Sequence, residues 1–295
     1  MLTGANGQVG WELSRSLMPL GKVYALDRTL CDLSRPETIP AVVQEIKPDV
    51  IVNAAAYTAV DKAEEDELLA TTINGTAVGV LAEEARRHRA AIVHFSTDYV
   101  FDGSKATSYS EEDQPNPISA YGRSKLAGEK AIKVIGGDFL IFRTAWVYSV
   151  RGHNFLKTIL RLANERDKLT IVDDQHGSPT WSRNIADTTA LVLAKWRVLY
   201  EKENDVSLSG IYNLTAAGNT SWFGFAETIC REAVCRNLIS VKVLPKIIPI
   251  PTTAYPLPAS RPKNSCMDGQ KLIRDFALEM PNWEEAVILC LNELQ

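Results

Sequence analysis

Tyr121 and Lys125 stand four residues apart in Ser119-Ala-Tyr-Gly-Arg-Ser-Lys125. On a helix this spacing puts both side chains on one face. An ammonium so placed can draw a phenol's pKa down from about 10 towards neutrality, which makes the phenol an acid or base at working pH. The pair gains weight from Thr3-Gly-Ala-Asn-Gly-Gln-Val-Gly10 near the start of the chain. Gly4, Gly7 and Gly10 there form a turn between a strand and a helix. Small residues let the backbone approach a pyrophosphate, whose charge is met by the helix N-terminus. Asp27 ends the next strand, about twenty residues on, where a carboxylate bonds the adenosine ribose and favours NAD. Arg28 follows it and could accept a 2′-phosphate, so the residues leave NADPH and NADH both open. Asp32 and Leu33 lie where they could flank an adenine.

Further side chains gather at predicted strand ends. Ser96 and Thr97 follow the run Ile92-Val-His-Phe95, and open parallel sheets build their sites at the C-terminal ends of strands. Asn53-Ala-Ala-Ala56 follows another strand. Ala54 and Ala55 there allow close approach of a cofactor, or equally tight packing of helix on strand. Thr58 and Val60 belong to a loop that could face a substrate. Other chemistries find no support: there is no His-Glu-x-x-His, no Cys-x-x-Cys and no Gly-x-Ser-x-Gly. The four histidines are scattered and read as core or surface residues.

The elements that must position these residues alternate. Val23–Leu26, Val50–Val52, Ile92–Phe95 and Phe139–Phe142 read as buried strands. Helical stretches are expected at about Pro36–Lys47, capped by Ser34 and stopped by Pro48, and at about Gly75–His88. The pattern predicts an α/β fold with a doubly wound parallel sheet of Rossmann type. Only Met1, Leu2 and Thr3 precede the glycine turn, short of the usual five or so residues of a central strand. Either this strand is unusually short or its first residues are missing. After about Val147 the alternation becomes irregular. Residues 1–150 are expected to form the dinucleotide-binding domain, rejoined by part of 180–215, and 151–295 mainly a smaller, irregular α/β domain for substrate. Helices are expected there at Asn184–Trp196 and at Trp222–Arg236, the second capped by Ser221. Prolines make 249–262 extended or looped.

Composition fits that reading. A chain of 295 residues with 45% hydrophobic residues can bury a large core. A net charge of −4 is too mild to suggest a nucleic-acid partner. The basic cluster Arg86-Arg87-His88-Arg89 reads as a helix C-terminus matched to its dipole. Five scattered cysteines suit reduced thiols in a cytoplasmic protein. No apolar run approaches membrane-spanning length, and no secretory signal is visible.

Taken together, these segments resemble the extended short-chain dehydrogenase/reductases, and among them enzymes that reduce nucleotide-bound keto sugars. The resemblance covers essentially the whole chain. It is carried by the glycine turn, by Asn53-Ala-Ala-Ala-Tyr-Thr-Ala-Val-Asp-Lys-Ala-Glu64, by Ser96-Thr-Asp-Tyr-Val-Phe101 and by Tyr121-Gly-x-x-Lys-x-x-Gly-Glu129. It is carried also by Phe142-Arg-Thr-Ala-Trp-Val-Tyr148, Asp174-Gln-x-Gly-x-Pro-Thr180, Pro251-Thr-Thr-Ala-Tyr-Pro256 and Arg261-Pro-x-Asn-Ser265. The resemblance implies hydride transfer from NADPH or NADH to C4 of dTDP-4-dehydro-6-deoxy-L-mannose, giving dTDP-L-rhamnose. Tyr121 would be the proton donor, Lys125 would lower its pKa and hold the nicotinamide ribose, and Thr97 would orient the ketone. Gln8 and Val9 would lie on the pyrophosphate, with Asp27, Asp32 and Leu33 around the adenosine. Ala54, Ala55 and Thr58 would line the cofactor. Asp98, Tyr99 and Trp146 would approach the sugar, and Arg261 and Asn264 the nucleotide. Family members hold Mg2+ with acidic residues at a homodimer contact. Glu12 matches one of these, but Arg183 stands where another acid belongs, so Mg2+ and that homodimer remain open. The alternatives are a reductase or epimerase of another nucleotide sugar, and a non-catalytic cofactor-binding regulatory subunit.

Overall fold

The computed structural model describes residues 1–202, 208–239 and 245–294. Strand β1 (Leu2–Thr3) runs into the glycine turn and helix α1 (Gln8–Ser16) leaves it. There follow β2 (Ala25–Leu26), α2 (Ile39–Ile46), β3 (Val50–Asn53), α3 (Val60–Ala63) and α4 (Glu67–Thr71). A π-helical turn over Thr72–Thr76 joins α4 to α5 (Ala77–His88). Then come β4 (Ala91–Thr97), α6 (Ala120–Ile135) and β5 (Phe139–Thr144). The second half contains β6 (Val147–Tyr148), α7 (Phe155–Glu165), β7 (Lys168–Val172), β8 (His176–Gly177), β9 (Thr180–Trp181) and α8 (Ser182–Lys202). It continues with β10 (Gly210–Asn213), β11 (Thr220–Ser221), α9 (Trp222–Cys235), β12 (Lys246–Ile250), α10 (Gln270–Phe276) and α11 (Trp283–Asn292).

The main sheet has the order β2-β1-β3-β4-β5-β10, and every pairing is parallel. The order reverses between β1 and β3, as the doubly wound, Rossmann-type arrangement requires. Both faces are covered, which is why the strands read as continuous apolar runs. Successive residues serve opposite faces. Ile51, Ile92 and Ile141 point into a core with α2, α5 and α6. Leu2, Val52, Val93, Phe95 and Leu140 point into a second core with α1, α8 and α10.

A third core unites α7, α9 and α11. Around it lie three two-stranded pairs: β6 with β9, β7 with β12, and β8 with β11. The first two are parallel and the last antiparallel. Among the described residues no helix is long and apolar enough to cross a membrane.

Several boundaries differ from expectation for local reasons. Helix α2 starts at Ile39, after a short 3-10 turn at Pro36–Thr38. Ser34 is not its cap; that hydroxyl donates to Asp32 at 2.7 Å, closing a turn. Lys47, at φ 48°, ends the helix in the left-handed region before Pro48. By contrast, α9 starts behind Ser221, whose hydroxyl accepts from Gly224 N–H at 3.0 Å. A cavity of about 700 Å³ lies beside Met1, Tyr24, Val50 and Trp196, at the N-terminal ends of the strands. Parallel sheets place their chemistry at the other end.

Candidate active site

The glycine turn sits at the point where the strand order reverses. Gly4 has φ +70°, and a Cβ on it would lie 2.6 Å from Ala55 N. A Cβ on Gly10 would lie 2.1 Å from Gly4 O. The first turn of α1, the glycine turn and the Ala54-Ala55 backbone therefore touch without side chains between them. That leaves bare N–H groups and a helix N-terminus facing out, a surface suited to a pyrophosphate. Gln8 reaches across to the second half of the chain, accepting from Asn154 Nδ2 at 2.8 Å. Asp27, at the end of β2, accepts from Thr29 N–H at 2.9 Å and from Asn6 at 3.3 Å. Hydrogen bonds from Thr29 hold its carboxyl below the usual range. Arg28 is exposed beside it and pairs with Asp32 at 3.3 Å. Leu33 is buried below. Thr58 is exposed and Val60 half-buried at the far lip.

Helix α6 carries Tyr121 and Lys125, and its start is fixed from three directions. Ser119 caps it, accepting from Gly122 N–H at 3.1 Å. Glu64 accepts from Ala120 N–H at 2.8 Å. A Cβ on Gly122 would lie 2.2 Å from Tyr99 O, so only glycine lets the helix come this close to the end of β4. The π-turn adds a fourth fastening, which sequence reasoning missed. Its buried Asn74 accepts from Tyr57 N–H at 2.8 Å and donates to Tyr57 O at 3.0 Å and Ser124 Oγ at 2.9 Å. Asn74 thus ties the loop after β3 to the residue beside Lys125.

Thr97 closes β4. Its hydroxyl donates to Asp98 at 2.9 Å, accepts from Tyr99 N–H at 3.2 Å and faces the Tyr121 phenol. The ring of Tyr99 meets that of Tyr121 edge to face at 5.5 Å. Dehydration pushes the Tyr121 phenol up to about 12, with Thr97 opposing the shift and the Asp98 charge adding to it. Lys125 does not figure among the causes of this shift in the cofactor-free site. Lys125 is itself buried, and dehydration brings its amine down to about 7. Its Nζ donates to Phe95 O at 2.5 Å and lies 3.2 Å from His94 Nε2. In the cofactor-free site the phenol therefore keeps its proton, the form a proton donor needs. Burial likewise raises Asp98 to about 6.

One turn beyond Lys125, Glu129 receives a bidentate pair from Arg143 on β5, at 3.0 and 2.7 Å. Both are fully buried. Ser96 donates to the same carboxylate, so its hydroxyl turns away from the site and pins α6 to the sheet.

At the other wall, Trp146 lies flat on Trp222, with centroids 3.6 Å apart and planes within 6°. Trp146 has φ 47°, the left-handed region. A Cβ on Gly177 would come within 2.6 Å of its ring, so that glycine gives the indole its place. Arg261 bridges the two halves of the chain, pairing with Asp61 at 2.8 and 3.1 Å. The amide of Asn264 turns inward, donating to Lys105 O and Thr107 O and accepting from Cys266 N–H. That leaves its side chain with loop-building contacts and none of its donors directed outward.

A divalent metal does not fit beside Glu12. The Arg183 guanidinium donates to Glu12 at 3.2 Å and also pairs with Glu293. It places a fixed positive charge where a cation would need free carboxylates. No group of three or more metal-ligating side chains occurs among the described residues.

The RmlD substrate binding domain family model matches residues 1–295. The dTDP-4-dehydrorhamnose reductase of Burkholderia thailandensis is 52% identical over 100% of this chain and 98% of that protein. The dTDP-4-dehydrorhamnose reductase of Escherichia coli K12 is 45% identical over 100% of this chain and 97% of that protein. A crystal structure of dTDP-4-dehydrorhamnose reductase from Bacillus anthracis, in complex with NADP, superposes with a TM-score of 0.86 at 35% identity. It covers 99% of this chain and 98% of that one. The chain therefore belongs to the RmlD substrate binding domain family, as a full-length relative of the dTDP-4-dehydrorhamnose reductases.

Proposed function

We propose that this protein reduces the C4 ketone of dTDP-4-dehydro-6-deoxy-L-mannose (dTDP-4-dehydro-β-L-rhamnose) to dTDP-L-rhamnose, with NADPH or NADH as reductant. The observation that carries this reading is the meeting of Thr97, Tyr121 and Lys125 where α6 packs on the end of β4, in a chain of this family. A dinucleotide with its pyrophosphate on the glycine turn would supply the hydride from its reduced nicotinamide. Tyr121 gives its proton to the C4 oxygen as the carbonyl becomes an alcohol, and Thr97 orients that oxygen. Lys125 holds the nicotinamide ribose. The reaction consumes one proton, which Tyr121 passes on and must regain before the next turnover. Val60, Asp98, Tyr99 and Trp146 form the sugar's side of the site. Arg261 can reach a nucleotide only by sharing the guanidinium now held by Asp61.

The test is oxidation of each reduced cofactor by the purified protein with this keto sugar. Asp27 accepts from a 2′-hydroxyl and repels a 2′-phosphate, whereas the exposed Arg28 attracts that phosphate. The expected result is use of both cofactors within about tenfold in kcat/KM, equivalent to about 1.4 kcal/mol. A preference above a hundredfold in either direction would refute the balance.

Trp146→Ala is expected to raise KM for the keto sugar well beyond any change for the cofactor. The indole offers one apolar face to a deoxysugar while Trp222 covers the other. Equal rises in both constants, or a collapse in stability, would make Trp146 a structural residue instead.

A further inference from the structure

A polar row crosses the sheet beneath the site. Thr3, Asn53 and His94 are in register on β1, β3 and β4, and all three are fully buried. They occupy the face that α5 and α6 cover, where Met1, Ile51 and Ile92 precede them in the apolar core. A buried polar group must find partners, and these find one another. The Asn53 carbonyl Oδ1 accepts from Thr3 Oγ1 at 2.7 Å and from Ala55 N–H at 3.2 Å. A backbone N–H can only donate, so the amide orientation is fixed and Nδ2 faces His94. Nδ2 is a donor and lies 3.1 Å from His94 Nδ1. Nδ1 must accept, and the proton of the neutral ring sits on Nε2. That N–H points at Lys125 Nζ, 3.2 Å away. An ammonium there would meet a donor with a donor. A neutral amine accepts from His94 and donates to Phe95 O.

We propose that His94 is a positioning residue for the reduction: Asn53 fixes its Nε2–H tautomer, and that N–H holds the Lys125 amine neutral and aimed in the cofactor-free enzyme. The proposal rests on the reading of Lys125 as the partner of Tyr121 and of the nicotinamide ribose. Other charges around the amine do not oppose it strongly. Glu129, one turn on, favours the ammonium, but its charge is shared with Arg143. Tyr121, one turn back, keeps its proton, and Asp98 lies beyond Thr97. Dehydration holds the His94 imidazole well below its usual range, and the Lys125 charge would lower it further whenever that amine is protonated, so the ring is neutral throughout.

Two measurements test this. The first is 15N NMR of the imidazoles in cofactor-free protein, with His94 assigned by the signals lost in His94→Gln. The expected result is a neutral ring protonated on Nε2 at all pH values where exposed imidazoles titrate. Lys125→Met should shift the Nε2 signal more than Nδ1. A ring protonated on Nδ1, or a charged ring, overturns the proposal. The second is the pH dependence of kcat/KM for the reduced cofactor, which reports the cofactor-free enzyme, in His94→Phe and His94→Gln. Phenylalanine removes the N–H, and glutamine can turn a carbonyl towards an ammonium. Both should move the ionisation of Lys125 upward by about one unit or more, tenfold in its proton affinity. A residue that merely fills space would lower stability or rate and leave that ionisation in place, and this outcome also overturns the proposal. The NMR result needs no turnover. Failure to reduce the keto sugar with the Nε2–H tautomer intact would count against the proposed reaction and leave the tautomer standing.

Discussion

Tyr121→Phe is expected to lower turnover by about a hundredfold or more, the range for a positioned acid–base group, with cofactor affinity near that of the unaltered protein. The ring would keep its edge-to-face contact with Tyr99, and Ser119 and Glu64 would still hold the helix start. Only the proton is lost. The effect should therefore fall on kcat, because the proton moves only as the ketone is reduced. Turnover within a few-fold of the unaltered enzyme would remove Tyr121 from the mechanism and direct attention to Asp98. That carboxyl is raised to about 6 by burial and is the next group able to hold a proton near Thr97.

The second large effect concerns stability. Arg143→Met is expected to cost about 3–5 kcal/mol, because it leaves Glu129 as an uncompensated charge in the interior. Glu129 and Arg143 are each no more than 2% exposed in their side chains. Arg143 also lies over the Phe101 ring at 5.1 Å, a contact that methionine only partly replaces. Urea unfolding would measure the loss. The double variant Arg143→Met with Glu129→Gln should recover part of it, because the charge is gone. A loss below about 1 kcal/mol in the single variant would show that water or another cation reaches Glu129.

The first half of the fold was legible because its code is local. Apolar runs end in glycine, alanine or hydroxyl residues, and the parallel sheet follows from their alternation with helices. The start of α9 was legible for the same reason, since Ser221 caps it by a contact only three residues away. The second half hides its strands, because β6, β8, β9 and β11 have two residues each and pair with distant partners. The same limit explains what went unread at the site. His94 is a core residue, as expected, but its polar partners lie 41 and 31 positions away and could not be read. Lys125 was legible by its spacing from Tyr121, but spacing says nothing of the dehydration that lowers its amine. Ser96 and Thr97 looked equivalent, but the strand's period of two sends Ser96 to Glu129 and leaves Thr97 facing the phenol.

The π-turn at Thr72–Thr76 has a consequence for the gene as well as the protein. Such a turn accommodates one residue more than an α-helix of the same span. Deleting any single codon there would let α4 and α5 fuse into one regular helix. Because the turn takes up its extra residue locally, α4 and α5 would keep nearly the same rotation relative to each other. Glu67 would keep its clasp on Arg123 of α6 at 2.7 Å, and what is at stake is Asn74, whose bonds to Tyr57 and Ser124 depend on its place in the turn. In-frame loss of one residue, which in a regular helix turns everything beyond it by about 100°, is therefore expected to be tolerated at this turn provided that Asn74 keeps its place, and deletion of Asn74 itself is the exception.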